Sequence, residues 1–104
     1  MNDKGRKVDY IVHGVRWFDK YNGTTYNSVC IVRASDGARL FCPMNYGYGD
    51  HYRQRALEAM HAAGWMPREI NERDLFAFER LHDYPILWYV VDGLKRECVA
   101  NGGE

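Results

Sequence analysis

Four histidines, three cysteines and several clustered acids and arginines are the residues here that could do chemistry. His51 and His61 are ten apart, which is neither the i,i+3 nor the i,i+4 spacing that sets two ligands on one helix face. His13 and His82 are more distant still. Cys30, Cys42 and Cys98 contain no CxxC pair, so zinc would require convergence of remote segments, and no metal or other cofactor is expected. The odd, widely spaced cysteines suit reduced thiols better than a disulfide framework. Cys98 with His82 and Asp83 could supply a nucleophile, a base and an orienting acid, and Asp50-His51 an acid–base pair for a small hydrolase. Nothing in the spacing assembles either set, and a cysteine at helical or strand spacing ordinarily packs as a small apolar residue. The expectation is a protein that is not an enzyme.

Two further patterns bear on binding. Gly47-Tyr48-Gly49-Asp50 precedes a helical segment, where free N–H groups could hold a phosphate. The Lys-Ser/Thr of a phosphate loop is absent, and Asp50 would repel an anion. A glycine-flanked tyrosine turn that presents contact residues is the better account. Arg33, Arg39, Arg53 and Arg55 could touch nucleic acid, although Glu58 interrupts the helical pair and a solvated face explains them as well.

Elements must position these groups. The 104 residues allow one hydrophobic core, and 46% hydrophobic with 27% charged content is ordinary globular composition. A single α+β domain over residues 1–104 is expected, with residues 1–7 flexible. Fourteen basic and fourteen acidic residues cancel, which disfavours a strongly basic phosphate-binding surface and an acidic nucleic-acid mimic. No apolar run suits a membrane span or a secretory leader, so a cytoplasmic protein without a membrane partner is expected. Aromatic residues make up 14% of the chain, and Tyr and Trp carry energy at interfaces as well as in cores.

Asn22-Gly23 and Asp36-Gly37 mark two hairpins. They divide strands near residues 8–18, 24–33 and 38–44 into an antiparallel three-stranded meander. Read as two-residue loops, the turns pair Tyr21 with Thr24, Ser35 with Ala38 and Cys42 with Ile31. One face then carries Tyr10, Val12, Phe18, Val29, Ile31, Leu40, Cys42 and Met44. The other carries Ile11, His13, Val15, Trp17, Tyr26, Ser28, Cys30, Val32, Arg39 and Phe41. That second face is too apolar for ordinary solvated surface, so the chain's own helices or a partner must cover it. Cys30 and Cys42 fall on opposite faces.

Asp50 is placed to cap a helix in which Tyr52, Ala56, Ala59, Met60 and Ala63 recur until Gly64. Asn71 is placed to start a second helix, with Leu75 and Phe78 inward and its end before Pro85. Residues 86–91 are apolar on both sides, as in a central or doubly covered strand. Residues 94–100 fit a strand or a short helix equally well. The order β-β-β-α-α-β implies one or two helices on one face of an antiparallel sheet, with a C-terminal strand.

Three stretches resemble a group of small phage and mobile-element proteins. They are Trp17 with Asn22-Gly23-Thr24-Thr25-Tyr26-Asn27-Ser28-Val29, then Tyr46-Gly47-Tyr48-Gly49-Asp50-His51-Tyr52-Arg53-Gln54-Arg55-Ala56-Leu57, then Val90-Val91-Asp92-Gly93-Leu94-Lys95-Arg96. The group carries an NGxTYxxV hairpin and a YGYGDxYxQ loop and helix, and the likeness spans about residues 17–96. The chain departs from it at Arg55, where Thr is common, and in lacking a basic run after Arg96. The resemblance implies the fold and a phage or plasmid setting, and it carries no active site. By analogy with other small phage proteins, including anti-CRISPR proteins, the expected activity is inhibition of a host protein by occlusion. A nucleic-acid-binding module is the alternative, and a homodimer is compatible with either. The residues singled out for partner contact are Trp17 and Tyr26 on the second face, Tyr46 and Tyr48 in the loop, and His51 and Arg53 beyond it.

Overall fold

The computed structural model describes residues 7–104, so the segment expected to be flexible lies outside the described residues up to position 6. Three strands follow the hairpin signals: β1 (Tyr10–Asp19), β2 (Thr24–Arg33) and β3 (Arg39–Tyr46). Then come α1 (His51–Ala62), the short α2 (Ala77–Leu81), β4 (Ile86–Asp92) and α3 (Lys95–Asn101). The class is α+β, but the sheet is mixed. Its order is β3-β2-β1-β4, with β4 parallel to β1 and the other neighbours antiparallel.

Both hairpin loops are longer than the dipeptides suggest. Asp19 pairs with Thr24, so the first loop holds Lys20-Tyr21-Asn22-Gly23, with Gly23 at φ 65°. Asp19 organises it by accepting the Tyr21 N–H at 3.0 Å and the Asn22 Nδ2 at 2.8 Å through its carboxylate, and the Gly23 N–H at 2.8 Å through its carbonyl. The second loop repeats the device, with Gly37 at φ 73° donating to the Arg33 carbonyl. In each, glycine takes the left-handed last position of the loop, which a two-residue reading places at its centre. The resulting register shift is an even number of residues, so the side chains keep their faces. Cys42 accordingly pairs with Val29 and not Ile31, yet still opposes Cys30 in orientation, and all three cysteines are free.

Helices cover both faces of the sheet. On the first face, Tyr52, Ala56, Leu57 and Met60 of α1, with Met66, Ile70, Leu75 and Phe78 beyond it, bury Val12, Val29, Ile31 and Ile86. Gly14 lets the Tyr52 ring lie directly on β1, since a Cβ there would stand 2.7 Å from Tyr52 Cδ2. Phe18 belongs to this face but lies beyond α1 and is exposed. On the second face α3 crosses β1, β2 and β3. Buried Cys98 sits against β1, and Asn101 donates to the carbonyls of His13 and Ser28. Its Leu94 N–H donates to the Glu97 carboxylate at 2.7 Å.

Three other expectations are corrected. Asp50 precedes α1 at φ −92°, ψ 13° and makes no side-chain cap bond, because it lies in a turn where His51 N–H reaches Tyr48 O. Asn71 starts a turn and no helix; its carboxamide accepts the Arg73 N–H, and regular helix begins only at Ala77. Among the described residues, 86–91 form an edge strand, apolar inward because of the core and apolar outward with Leu87 and Tyr89 exposed.

Candidate functional site

The residues singled out for contact divide into three places. Trp17, Tyr26 and Tyr46 stand side by side on the second face, one from each of β1, β2 and β3. Trp17 and Tyr26 are 5.3 Å apart at 28°, and Tyr26 and Tyr46 are 4.9 Å apart at 25°. The spacings match neighbouring strands, so the rings form an upright ladder across the sheet. Lys95 Nζ lies 5.5 Å over Trp17 and closes that end. At the other end Tyr46 is 63% exposed.

Tyr46 reaches this face through a bulge. Between Asn27 and Val29 one residue of β2 opposes two of β3, Pro43 and Met44. The extra residue reverses the alternation of β3, so Tyr46 leaves the side of Leu40 and Cys42 and joins Tyr26. Pro43 has no N–H to give to a ladder and sits where pairing breaks. Arg55 satisfies the groups that the bulge frees. Its guanidinium donates to the Asn27 carbonyl at 2.9 Å, to Asn27 Oδ1 at 2.8 Å and to the Pro43 carbonyl. Asn27, only 1% exposed, passes the connection on by donating to Gly47 O at 3.2 Å, with His51 Nδ1 at 3.3 Å. Gly47 has no room for a Cβ between those two side chains.

This network fixes the turn that carries Tyr48, which is 80% exposed. Arg16 fixes the turn from the other side, donating to Gly49 O at 3.2 Å and to Asp92 Oδ1 at 3.0 Å. Where β1 and β4 end, Arg16, Trp17, Phe18, Lys20, Tyr48 and Leu94 border an open cleft of about 970 Å³ that adjoins the ladder. Trp17, Tyr26, Tyr46 and Tyr48 are therefore one neighbourhood, and His51 is its support.

Arg53 is elsewhere. It packs on the first-face side, 5.0 Å over the Trp88 ring and 5.9 Å over Tyr52. The four arginines considered for nucleic acid do not form one surface either. Arg33 is paired with Asp36 and lies 4.5 Å over Trp65, Arg55 is spent on the bulge, and Arg39 lies on the edge strand β3 beside Cys30.

The nucleophile set is not assembled. Cys98 is buried under the second face, burial pushes its thiol up, and it donates to Val15 O at 3.4 Å. His82 packs against Phe78 in the core cluster on the other side of the sheet. No group of three or more His, Cys, Asp or Glu among the described residues could hold a metal ion. No helix among them is long and apolar enough to cross a membrane.

The ladder was half legible in the sequence, which set Trp17 and Tyr26 on one face. Pro43 was the available signal for the bulge that brings in Tyr46. Comparisons with family models, with curated proteins and with solved structures gave no significant match.

Proposed function

We propose that the protein is a cytoplasmic accessory factor of a phage or mobile element that docks on a host protein and inhibits it, as anti-CRISPR proteins inhibit host defence. The observation that carries the docking surface is the ladder of Trp17, Tyr26 and Tyr46 with Tyr48 beside it. Rings held by neighbours on both sides lose little freedom on binding, and tyrosine edges with their hydroxyls offer apolar area and hydrogen bonds together. The adjoining cleft can receive a protruding side chain of the partner. The phage setting rests on the resemblance of the three sequence stretches.

The same geometry argues against single-stranded nucleic acid. Base stacking needs open ring faces. Tyr26 is covered on both sides, and Trp17 lies between Tyr26 and Lys95. The arginines that would follow a phosphate backbone are dispersed.

Capture from bacterial host lysate, with and without nuclease, tests the reading. A stoichiometric host protein should bind the native chain, survive nuclease treatment and be lost with Tyr26→Ala/Tyr46→Ala. Recovery of nucleic acid alone, with retention falling steeply as salt rises, would favour the alternative.

A further inference from the structure

The two edges of the sheet are built differently. β3 carries Arg39, Pro43 and the bulge, and α3 ends against it, where a Cβ on Gly102 would lie 2.8 Å from Pro43 Cα. These are the features that stop a strand edge from pairing. β4 has none of them. Ile86–Val91 holds no charge, proline or bulge, and among the described residues its backbone ladder runs to β1 alone. Among the described residues, no strand pairs with the N–H and C=O groups of its outer side. On the second face it also exposes Leu87 (46%) and Tyr89 (56%), and Leu87 lies beside half-exposed Ile11. α3 packs mainly on β1, β2 and β3 and shares a cleft with the Val91–Asp92 end of β4, while Leu87 and Tyr89 remain exposed.

We infer that β4 is a self-association edge: two copies of the chain pair β4 against β4, antiparallel, about a two-fold axis perpendicular to the sheet. Over Ile86–Val91 the strand is uncharged and gives a charged partner nothing to pair with, whereas a second copy presents the same neutral stretch in return. Asp92, the one charged residue of β4 and already ion-paired with Arg16 at 3.0 Å, biases the orientation. Parallel pairing would set the two Asp92 carboxylates side by side, and like charges opposite one another repel. Antiparallel pairing moves each to the partner copy's Ile86 end, a strand length from the other. It also keeps the second faces on the same side, so Leu87 and Tyr89 of both copies close into one apolar strip. A two-fold contact of this kind is self-complementary and terminates, which is how an unprotected edge avoids open-ended aggregation. The ladder and the tyrosine turn lie outside this contact, so dimerisation and partner docking stand or fall separately.

Sedimentation equilibrium of the full chain over a range of concentrations tests the inference. The native chain should approach twice 12.2 kDa as concentration rises and return to 12.2 kDa on dilution. Tyr89→Lys and Leu87→Lys place like charges across the two-fold and should each weaken the dimer about tenfold or more, with the circular dichroism of the monomer unchanged. Tyr89→Phe should leave it intact. Hydrogen exchange on the native chain gives a readout that needs no variant: alternate amides of Ile86–Asp92 should become protected as concentration rises. A mass of 12.2 kDa at every concentration would assign the edge to another chain or to none and overturn the proposal. So would a dimer indifferent to both lysine variants.

Discussion

Replacing Arg55 by Met probes the joint between fold and site. The substitution keeps the aliphatic stem over the sheet and removes the guanidinium. Three acceptors lose their donor: Asn27 O, Asn27 Oδ1 and Pro43 O. The Pro43 carbonyl lies on the exposed edge and water replaces its partner at little cost. Asn27 is 1% exposed, so its two oxygens are left in a place that water does not reach. At about 1–3 kcal/mol for each stranded acceptor, the loss is about 2–6 kcal/mol, a large part of a small domain's stability. Arg55→Lys keeps the charge but cannot span both Asn27 oxygens and Pro43, and should cost about half as much. Urea denaturation measures both, as a lower midpoint at unchanged slope. The Gly47–Asp50 amides should also exchange faster in Arg55→Met, since Asn27 ties Gly47 to the network. A loss below about 0.5 kcal/mol would mean that the bulge is held by packing alone, and would refute the reasoning.

Gly14→Ala should cost about 1–3 kcal/mol in the same assay, because its Cβ would meet the buried Tyr52 ring at 2.7 Å and neither the strand nor the ring can yield freely. Asp50→Ala should change stability by less than about 0.5 kcal/mol, since Asp50 makes no cap bond, whereas a true cap would cost about 0.5–2 kcal/mol. The Asp36 carboxyl should titrate at about 2, below its ordinary 3.8, because the Arg33 guanidinium and the Ala38 N–H stabilise the carboxylate. A depressed carboxyl contributes stability that is present above 3.8 and lost as pH falls through about 2, so this loop weakens in that window; Arg33→Ala should return the NMR-observed midpoint toward 3.8.

Much of this architecture was legible because local rules decide it. β2 occupies the predicted residues, flanked by the two glycine turns, and α1 stops where Gly64 takes φ 75°. The face assignment survived an error in loop length because the shift was even. What failed were features settled by remote groups. The Asp19 side chain, and not the Asn-Gly dipeptide, makes the first loop four residues long. Residues 86–91 read as a central or doubly covered strand because a continuous apolar run cannot distinguish a covered face from an exposed one. The second helix shrank because Asn71 spends its side chain on a turn. Tyr46 sits on the ladder only through one extra residue in β3, and the arginine that supports that bulge is twelve positions away in α1.

The central claim is that the ladder and its turn are a contact surface and no mere packing. Tyr46→Ala/Tyr48→Ala tests it most directly, with melting and partner affinity measured on the same preparation. Both rings are mainly exposed, so removing them should cost no more than about 1 kcal/mol of stability. Affinity for the captured host protein should fall by about 2 kcal/mol or more, the scale of interface hot spots. Unchanged affinity, or a stability loss large enough to account for all the lost binding, would contradict the claim.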